Sequence, residues 1–290
     1  MNSQLSERIH LHSANFSKGQ RMIARYIEEH SDKVAFMTAS KLGATVGVSE
    51  STVVRFATEI GYSGYPALQQ AMQEVIRSKM TSVQRLERTS QNIEHRKLLE
   101  AVVDQDIDIL KRTKENVDQE AFYKAVDALV GAKKVYVLGA GSSLALATFL
   151  AHYLRLVFET VHLVEATSEA TILQQMVRVG EGDAVIAISF PRYSKKAVKT
   201  MKYASSQKAT TVAITDSPLS PLAQYASHVL LARSDMVSFV DSLVGPLSII
   251  NALIVTVAIK KKDEVADTLR KIEGIWDEYG VYEKVDEKGS

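Results

Sequence analysis

The feature that most constrains the fold is a nonapeptide at residues 135–143, with the sequence Val-Tyr-Val-Leu-Gly-Ala-Gly-Ser-Ser. Apolar, β-favouring residues run directly into glycines and serines, and residues 144–150 continue as an apolar, helix-like segment. This order predicts a strand, a tight turn and a helix. Because a helix start presents unpaired N–H groups and the positive end of the helix dipole, the glycines and hydroxyls at this turn favour an anion, above all a phosphate.

Two other interpretations of this turn stay open. A dinucleotide site needs Gly-x-Gly-x-x-Gly, but Leu144 stands at the third glycine position, where its side chain would hinder close helix packing. Glu165, 24 residues after Gly141, could still mimic the acidic ribose ligand. NAD is therefore a weaker interpretation of this turn than a phosphate. The second open interpretation is a plain turn between strand and helix that binds no ligand.

Strands and helices alternate from residue 135 onward. Strands are predicted at 135–138, 161–164, 184–188, 210–215 and 228–232, with helices near 143–157, 168–177, 194–207 and 242–259, and with two leading helices at 97–114 and 119–130. The strands are continuous apolar runs, which indicates that both faces of the sheet are covered. We therefore predict an α/β doubly wound domain with a five-stranded parallel sheet.

A flavodoxin-like strand order, 2-1-3-4-5, places the ligand crevice at the carboxyl ends of the first and third strands. The loops there, 139–143 and 189–194, are rich in hydroxyl residues and lead into helices. Such loops can clamp a phosphate with backbone N–H groups, hydroxyls and an arginine. The predicted contacts are Gly141, Ser142, Ser143, Ser189, Arg192 and Ser194. Each serine taken alone can instead be a helix cap.

Three helices with a glycine-containing turn are predicted in the first part of the chain. The support helix spans 18–31 after its cap Ser17, a short helix runs from its cap Thr38 to residue 46, and a third spans 50–60 after its cap Ser49. Gly47 separates the second helix from the third. This pattern is typical of a helix-turn-helix DNA-binding domain, although any small three-helix bundle can show the same spacing.

The exposed face of the third helix favours DNA binding. We expect no large apolar residue there, since small and polar residues suit a helix that enters the major groove. Arg55 can reach a guanine edge or a phosphate. Ser49 is expected mainly to cap the helix, and Lys41 is either a phosphate contact or a solvated charge. The predicted DNA contacts are Lys41, Ser49, Glu50, Ser51, Thr52 and Arg55.

A polar segment at residues 81–96 predicts the boundary between two domains. It follows a helix expected at 66–80, so we expect a helix-turn-helix domain at 1–80, a linker at 81–96 and the α/β domain at 97–290.

The net charge differs slightly between the two parts of the chain. Up to residue 90 the chain has 11 Lys and Arg against 8 Asp and Glu, a net charge of +3, and the total of +1 leaves −2 for the remaining residues. This asymmetry alone is too small to indicate nucleic-acid binding.

The absence of cysteine excludes disulfides and thiolate metal sites and agrees with a reducing cytoplasm. The first residues lack the apolar core of a signal peptide. Polar residues interrupt the apolar run at 243–259, so we expect this run to be a buried helix, and we expect no membrane partner.

The seven histidines show metal-ligand spacing only at His10 and His12, near a terminus expected to be mobile. We predict no metal and no cofactor.

Two sets of motifs resemble one known family. Residues 139–143, Gly-Ala-Gly-Ser-Ser, and 189–194, Ser-Phe-Pro-Arg-Tyr-Ser, resemble the loops of the sugar isomerase (SIS) domain in the version found in RpiR-type transcriptional regulators. Residues 47–56, Gly-Val-Ser-Glu-Ser-Thr-Val-Val-Arg-Phe, followed by Gly61 and Tyr62, are similar to that family's helix-turn-helix core. The resemblance covers nearly the whole chain in the family's domain order.

The resemblance implies a homo-oligomeric cytoplasmic regulator of carbohydrate metabolism, a homodimer or a dimer of dimers. Its N-terminal domain would bind operator DNA, expected to be an inverted repeat, and its SIS domain would bind a phosphorylated sugar effector. Residues 238–243, Ser-Phe-Val-Asp-Ser-Leu, also match the family, in which such a segment lies near the ligand pocket. Asp241 and Ser242 are therefore further candidate contacts, ranked below the serine loops.

SIS folds also serve phosphosugar isomerases, so an isomerase with a fused DNA-binding domain is the alternative function. Aldose–ketose interconversion needs a general base within hydrogen-bond reach of the substrate. The candidates by position are Glu165, His152 and His228. We expect His152 to pack within a helix, and His162 and His228 to be buried in strands with a hydrogen bond. Glu165 lies near the expected crevice but can instead bind a sugar hydroxyl, and we predict no enzyme activity.

Overall fold

The computed structural model describes residues 3–79, 81–92, 97–165, 168–235 and 238–282. The chain divides into two compact units, Met1–Arg88 and Thr89–Ser290. The buried hydrophobic clusters found among the described residues each lie within one unit. Each unit is therefore organised around a core of its own.

Helices build the first unit. In chain order they are α1 (Ser3–His12), α2 (Lys18–Val34), α3 (Ala39–Val46), α4 (Glu50–Glu59) and α5 (Tyr65–Lys79). A capping box begins α2, because the Ser17 hydroxyl accepts from the Gln20 N–H and the Gln20 side chain accepts from the Ser17 N–H. Large apolar side chains from four of these helices are fully buried in the unit's core: Ile23, Ile27, Leu42, Phe56 and Leu68.

The turn between α3 and α4 depends on two glycines. Gly47 ends α3 in the left-handed conformation, with a φ of 79°, which disfavours any residue that has a side chain. A Cβ atom on Gly43 would lie 2.7 Å from the carbonyl oxygen of Val48. The two glycines together allow α3 and α4 to approach closely, as a helix-turn-helix requires.

The N-terminus and the polar segment contain helices beyond those expected. The expectation of a mobile terminus around His10 is wrong, because α1 packs its Leu5 and Ile9 into the core of the first unit. These two residues are four positions apart and so share one helix face. The polar segment at 81–96 contains helix α6 (Ser82–Asn92), within which the boundary between the two units falls.

The second unit is an α/β domain. Helices α7 (Leu98–Asn116) and α8 (Gln119–Val130) lead into it. The chain then continues as β1 (Val135–Gly139), α9 (Ser143–Leu154), β2 (Val161–Val164), α10 (Glu169–Met176), β3 (Ala184–Ile188), α11 (Lys195–Ser206), β4 (Thr210–Thr215), β5 (His228–Leu231), α12 (Val244–Lys260) and α13 (Lys262–Tyr279). The strands pair in parallel in the order β2-β1-β3-β4-β5. The predicted five-stranded, doubly wound sheet is confirmed.

Helices cover both faces of this sheet. Every residue of β1 and β3 is buried, as continuous apolar runs predict. Val137 of β1 belongs to a core that also includes residues of α8, α9 and α12, such as Leu150 and Leu253. Its neighbour Leu138 belongs to the core on the other face, with Met201 of α11. The sheet is therefore the middle of three layers.

The last two helices differ in burial. The apolar run predicted as a buried helix is α12, which buries Ile250 and Val257 but leaves Val255 and Ile259 exposed. The additional helix α13 has no buried residue among those described. Within the described ranges, no single helix combines the length and the apolar composition that crossing a membrane requires, and only α12 and α13 taken together, bent by 100°, have both.

Candidate functional site

Two loops leave the sheet side by side at its carboxyl edge. Gly139, the last residue of β1, is level with Ile188, the last residue of β3. The loop after β1 runs into α9 and the loop after β3 runs into α11, so both helices begin at this edge. This is the switch point of the sheet, where ligands of doubly wound domains bind.

The turn from β1 to α9 is too tight for a side chain at Gly139. A Cβ atom there would lie 2.2 Å from the Ser143 carbonyl oxygen and 2.9 Å from the Cβ of Ala147. Gly141, two residues further on, has a φ of 62°, a conformation that glycine adopts without strain. These glycines bring the N-terminus of α9 against the end of β1, where helix N–H groups can bind an anion.

The serines of the first loop have different environments. Ser143 is the first residue of α9 and is 4% exposed. Ser142 is exposed, and its hydroxyl donates to Oδ2 of Asp241 at 2.7 Å. The structure thus joins Ser142 and Asp241, although they are 99 positions apart in sequence. Because this carboxylate is negatively charged, a phosphate that binds at Ser142 has to displace it.

The second loop is held in shape by its own hydrogen bonds. Ser189 is 4% exposed, and its hydroxyl accepts from the Ser194 N–H at 3.1 Å, which leaves the hydroxyl proton available to a ligand. Ser194 caps α11 by accepting from the Ala197 N–H, the role that a lone serine at a helix start commonly has. Arg192 is exposed and has a φ of 65°, a strained conformation of the kind that clusters at functional sites.

Two aspartates that the sequence motifs do not indicate hold the site segments in place. Asp216, just after β4, accepts from the Tyr193 hydroxyl at 2.8 Å. Asp106, on α7, accepts from the Ser242 hydroxyl at 2.6 Å. These partners are 23 and 136 positions apart in sequence, so no local pattern signals them.

Glu165 lies at the same edge of the sheet as the serine loops. It follows β2, the neighbour of β1, and is exposed. Its backbone N–H donates to the Gln175 side chain, and its carbonyl accepts from that side chain. Among the described residues, no hydrogen bond joins Glu165 to either serine loop, so the structure brings it to the edge but not into the cluster.

The histidines are placed differently from expectation. His152 is exposed on α9, where its ring packs edge-on against that of its helix neighbour Tyr153, with 5.0 Å between ring centroids. His162 is exposed as well, not buried, and stacks on Tyr136 with 4.8 Å between ring centroids. Its exposure follows from the position of β2 at the edge of the sheet. His228 is half-buried at the amino end of β5, where burial, and then the charge of Lys124, lowers its pKa.

Metal ligation finds no support in the part of the chain that the structure describes. No group of three or more His, Asp or Glu side chains is placed there to hold an ion. His12, one of the pair with metal-ligand spacing, instead places its Nδ1 atom 2.9 Å from the Arg8 carbonyl oxygen.

In the first unit, hydroxyl groups gather at the N-terminus of α4. The Ser49 oxygen lies 2.9 Å from the Ser51 hydroxyl and 2.8 Å from the Thr52 hydroxyl, and it accepts from the Thr52 N–H. Ser49 therefore caps the helix, as predicted. The positive end of the helix dipole and the hydroxyls together form a surface that suits a DNA phosphate.

The exposed face of α4 differs from expectation in one residue. The predicted DNA contacts are all exposed or half-exposed: Lys41, Ser49, Glu50, Ser51, Thr52 and Arg55. Val54 is also exposed, at 39%, so the expectation that this face lacks large apolar residues is wrong. An apolar side chain on a recognition helix can contact a thymine methyl group. Among the described residues, Arg55 makes one hydrogen bond, in which its Nε donates to the Ser51 carbonyl at 3.4 Å, so its terminal nitrogens stay available to DNA.

Comparison with known families places both units. The helix-turn-helix domain of the rpiR family matches residues 3–79, within the first unit. The SIS domain matches residues 128–256, within the second. The fold and the site thus define a class of protein, a helix-turn-helix transcriptional regulator that carries an SIS domain.

Individual relatives and solved structures support the same class of protein. The HTH-type transcriptional regulator HexR of Escherichia coli (strain K12) is 24% identical over 92% of each chain. The sugar isomerase domain of an RpiR transcription factor from Sphaerobacter thermophilus is 32% identical, with a TM-score of 0.58, over 61% of this chain and 98% of that one. The Vibrio vulnificus NanR protein, solved in complex with ManNAc-6P, has the same fold, with 23% identity and a TM-score of 0.57 over 93% of this chain and 98% of that one. The chain belongs to the RpiR family of transcriptional regulators.

Proposed function

We propose that this regulator senses a phosphorylated sugar in its SIS domain and transmits the signal to the helix-turn-helix domain on its operator. The observation that carries the proposal is that Ser143 and Ser189 are both buried and follow the neighbouring strands β1 and β3, where each loop leads into a helix. Hydroxyls and helix N–H groups together bind phosphate well. The complex of NanR with ManNAc-6P supports this class of ligand.

The proposed contacts divide into two groups. An inner group surrounds the phosphate with backbone N–H groups, hydroxyls and one cation: Gly141, Ser142, Ser143, Ser189, Arg192 and Ser194. An outer group presents oxygen atoms that can accept hydrogen bonds from sugar hydroxyls: Glu165, Asp241 and Ser242. Asp241 belongs in the outer group because the phosphate takes its place at Ser142.

A thermal-shift screen of phosphorylated sugars tests this proposal, because a ligand that binds only the folded protein raises its melting temperature. We expect at least one sugar phosphate to raise the melting temperature, whereas the same sugar without its phosphate leaves it unchanged. Equal shifts with and without the phosphate, or no shift across the whole panel, would contradict the proposed site.

Replacing Arg55 by alanine should weaken specific operator binding by about 5- to 150-fold, because a bidentate contact from arginine to a base contributes about 1–3 kcal/mol of discrimination. The measurement is fluorescence anisotropy with operator and with scrambled DNA. Arg25→Ala is the matched control, since Arg25 is an exposed arginine of the same unit that pairs with Glu29 on α2. If the Arg55→Ala variant bound operator and scrambled DNA with unchanged affinities, Arg55 would not take part in reading the operator sequence.

We further propose that the protein binds DNA in the cytoplasm as a homodimer or a dimer of dimers. A dimer of helix-turn-helix domains reads two half-sites about 10 bp, or a multiple of that, apart, so the operator should be an inverted repeat.

Purified protein should not interconvert aldose and ketose phosphates. That reaction needs a base held in position by neighbouring groups, whereas Glu165 is exposed and not joined to the serine cluster by a hydrogen bond among the described residues. The measurement is NMR detection of the ketose during long incubation with candidate aldose phosphates. Turnover by the wild-type protein that disappears in Glu165→Gln would make the protein an isomerase.

A further inference from the structure

Helix α4 divides its residues between a buried side and an exposed side. Val53, Phe56 and Ala57 are fully buried in the core of the first unit. Because an α-helix has 3.6 residues per turn, positions 50, 51, 54, 55 and 58 share the opposite side. All five side chains on that side, which we call the outer face of α4, are exposed: Glu50, Ser51, Val54, Arg55 and Thr58.

Val54 lies at the centre of the outer face, between the turn that holds Ser51 and the turn that holds Thr58. Its side chain is 39% exposed, whereas that of its neighbour Val53 is fully buried. Valine is also a poorer helix former than alanine or leucine, because its branched side chain loses rotamer freedom in a helix. Neither core packing nor helix formation therefore explains a valine at this position.

The apolar surface on the outer face is small and has polar surroundings. Among these five described residues Val54 is the one apolar side chain, and the others present hydroxyls, a carboxylate and a guanidinium group. A stable protein interface buries about 800 Å² on each partner, far more than one partly exposed valine supplies. A single valine instead matches a partner that offers one methyl group among hydrogen-bonding groups.

The major groove of DNA offers such a methyl group on one base. Thymine presents its C5-methyl group there, while the other groups on the base edges are hydrogen-bond donors and acceptors. Val54 is the fifth residue of α4, about 6 Å along the helix axis from Glu50. It therefore lies in the N-terminal part of the helix, which is the part of a recognition helix that contacts base edges.

We propose that Val54 reads one thymine in each operator half-site by packing its side chain against the thymine methyl group. The contact favours thymine over cytosine, the other pyrimidine, which lacks that methyl group. This inference rests on the proposed binding of α4 to DNA, and it adds the identity of one base to that proposal.

Removal of the methyl group from DNA tests the contact. The full-length protein first selects its binding sequence from double-stranded DNA with a randomised central region. Each thymine of the selected duplex is then replaced by deoxyuridine, which pairs in the same way but has no methyl group. At one thymine position this change should weaken binding about fourfold in one half-site and about fifteenfold in both, as expected for one buried methyl-sized group per half-site. The measurement is fluorescence anisotropy.

The Val54→Ser variant removes the partner of the methyl group while keeping a similar helix propensity. At that thymine position it should bind the thymine and deoxyuridine duplexes with affinities within about 1.5-fold of each other, because neither duplex then has a methyl contact to lose. Val83→Ser is the matched control, since Val83 is an exposed valine of the same unit on α6. It should keep the wild-type ratio, and circular dichroism shows that both variants are folded.

Cytosine and 5-methylcytosine give a second comparison at the same position. With the wild-type protein, 5-methylcytosine should bind about fourfold more tightly than cytosine for each half-site, because it restores the methyl group without restoring thymine. The Val54→Ser variant should not distinguish the two. This comparison separates a contact with the methyl group from a preference for the shape of an A·T pair.

Three outcomes would overturn the inference: a selected half-site without thymine, a half-site in which no deoxyuridine weakens binding, or a deoxyuridine effect that Val54→Ser leaves unchanged at every thymine. In each of these cases the protein still selects a sequence, so its proposed binding to an operator stands. A protein that selects no sequence from the randomised DNA would instead refute that proposal, and the thymine contact with it.

Discussion

Replacing Gly139 by alanine is expected to abolish effector binding and to lower the free energy of unfolding of the second unit by about 3 kcal/mol. The added Cβ would lie 2.2 Å from the Ser143 carbonyl oxygen and 2.6 Å from its carbonyl carbon. Both atoms are backbone, so the clash cannot be relieved by rotating a side chain. The N-terminus of α9 must move instead, and the phosphate-binding groups move with it.

Two measurements check this result. Native-state hydrogen exchange of the β1 and β3 amides reports the stability of the sheet itself, and titration with a sugar phosphate reports the site. Gly180→Ala is the matched control, because a Cβ atom there meets nothing within 4 Å and the backbone has no positive φ. A Gly139→Ala protein with normal exchange and normal affinity would show that the turn is not as tight as the structure has it.

Replacing Ser143 or Ser189 by alanine should weaken effector binding by about 10- to 100-fold, while DNA binding without effector survives. Each change removes a charge-assisted hydrogen bond to phosphate, which contributes roughly 1.5–3 kcal/mol. The measurement is isothermal titration with the sugar phosphate and, separately, with operator DNA. Ser206→Ala is the control, since that exposed hydroxyl on α11 donates only to the Tyr203 carbonyl among the described residues. An effector affinity that neither change alters would place the phosphate elsewhere.

The same titrations test coupling between the two domains. In the proposed function the effector acts only through its different affinities for two conformations of the regulator. If it changes operator affinity by some factor, operator DNA must change effector affinity by the same factor. Identical effector affinities with and without operator would show that the two binding activities are independent.

Much of the fold could be predicted from the sequence because its signals are local. The five strands are continuous apolar runs ended by glycine, serine or polar residues, and their predicted bounds differ from the structure by at most one residue at one end. The helix-turn-helix was visible through its caps, since Ser17, Thr38 and Ser49 all accept hydrogen bonds at helix starts. Helices α1 and α13 lacked such clear signals.

The candidate site was predictable only in part, for a physical reason. The serine loops could be located because sheet topology brings the ends of neighbouring strands together. The hydrogen bonds from Tyr193 to Asp216 and from Ser242 to Asp106 join distant parts of the sequence, and only the folded chain reveals them. His162 shows a different kind of error, since the predicted strand order itself made β2 an edge strand and so implied exposure. The effector and DNA contacts themselves stay predictions.

The tight turn at Gly139 bears on the entropy of effector binding. This turn and the hydrogen bond from the Ser194 N–H to the Ser189 hydroxyl fix both serine loops before a ligand arrives. A sugar phosphate that binds there therefore loses little entropy in ordering backbone or side chains, which is a cost that flexible sites impose on their ligands. Most of the free energy of the phosphate contact then remains available to favour one conformation of the regulator over the other.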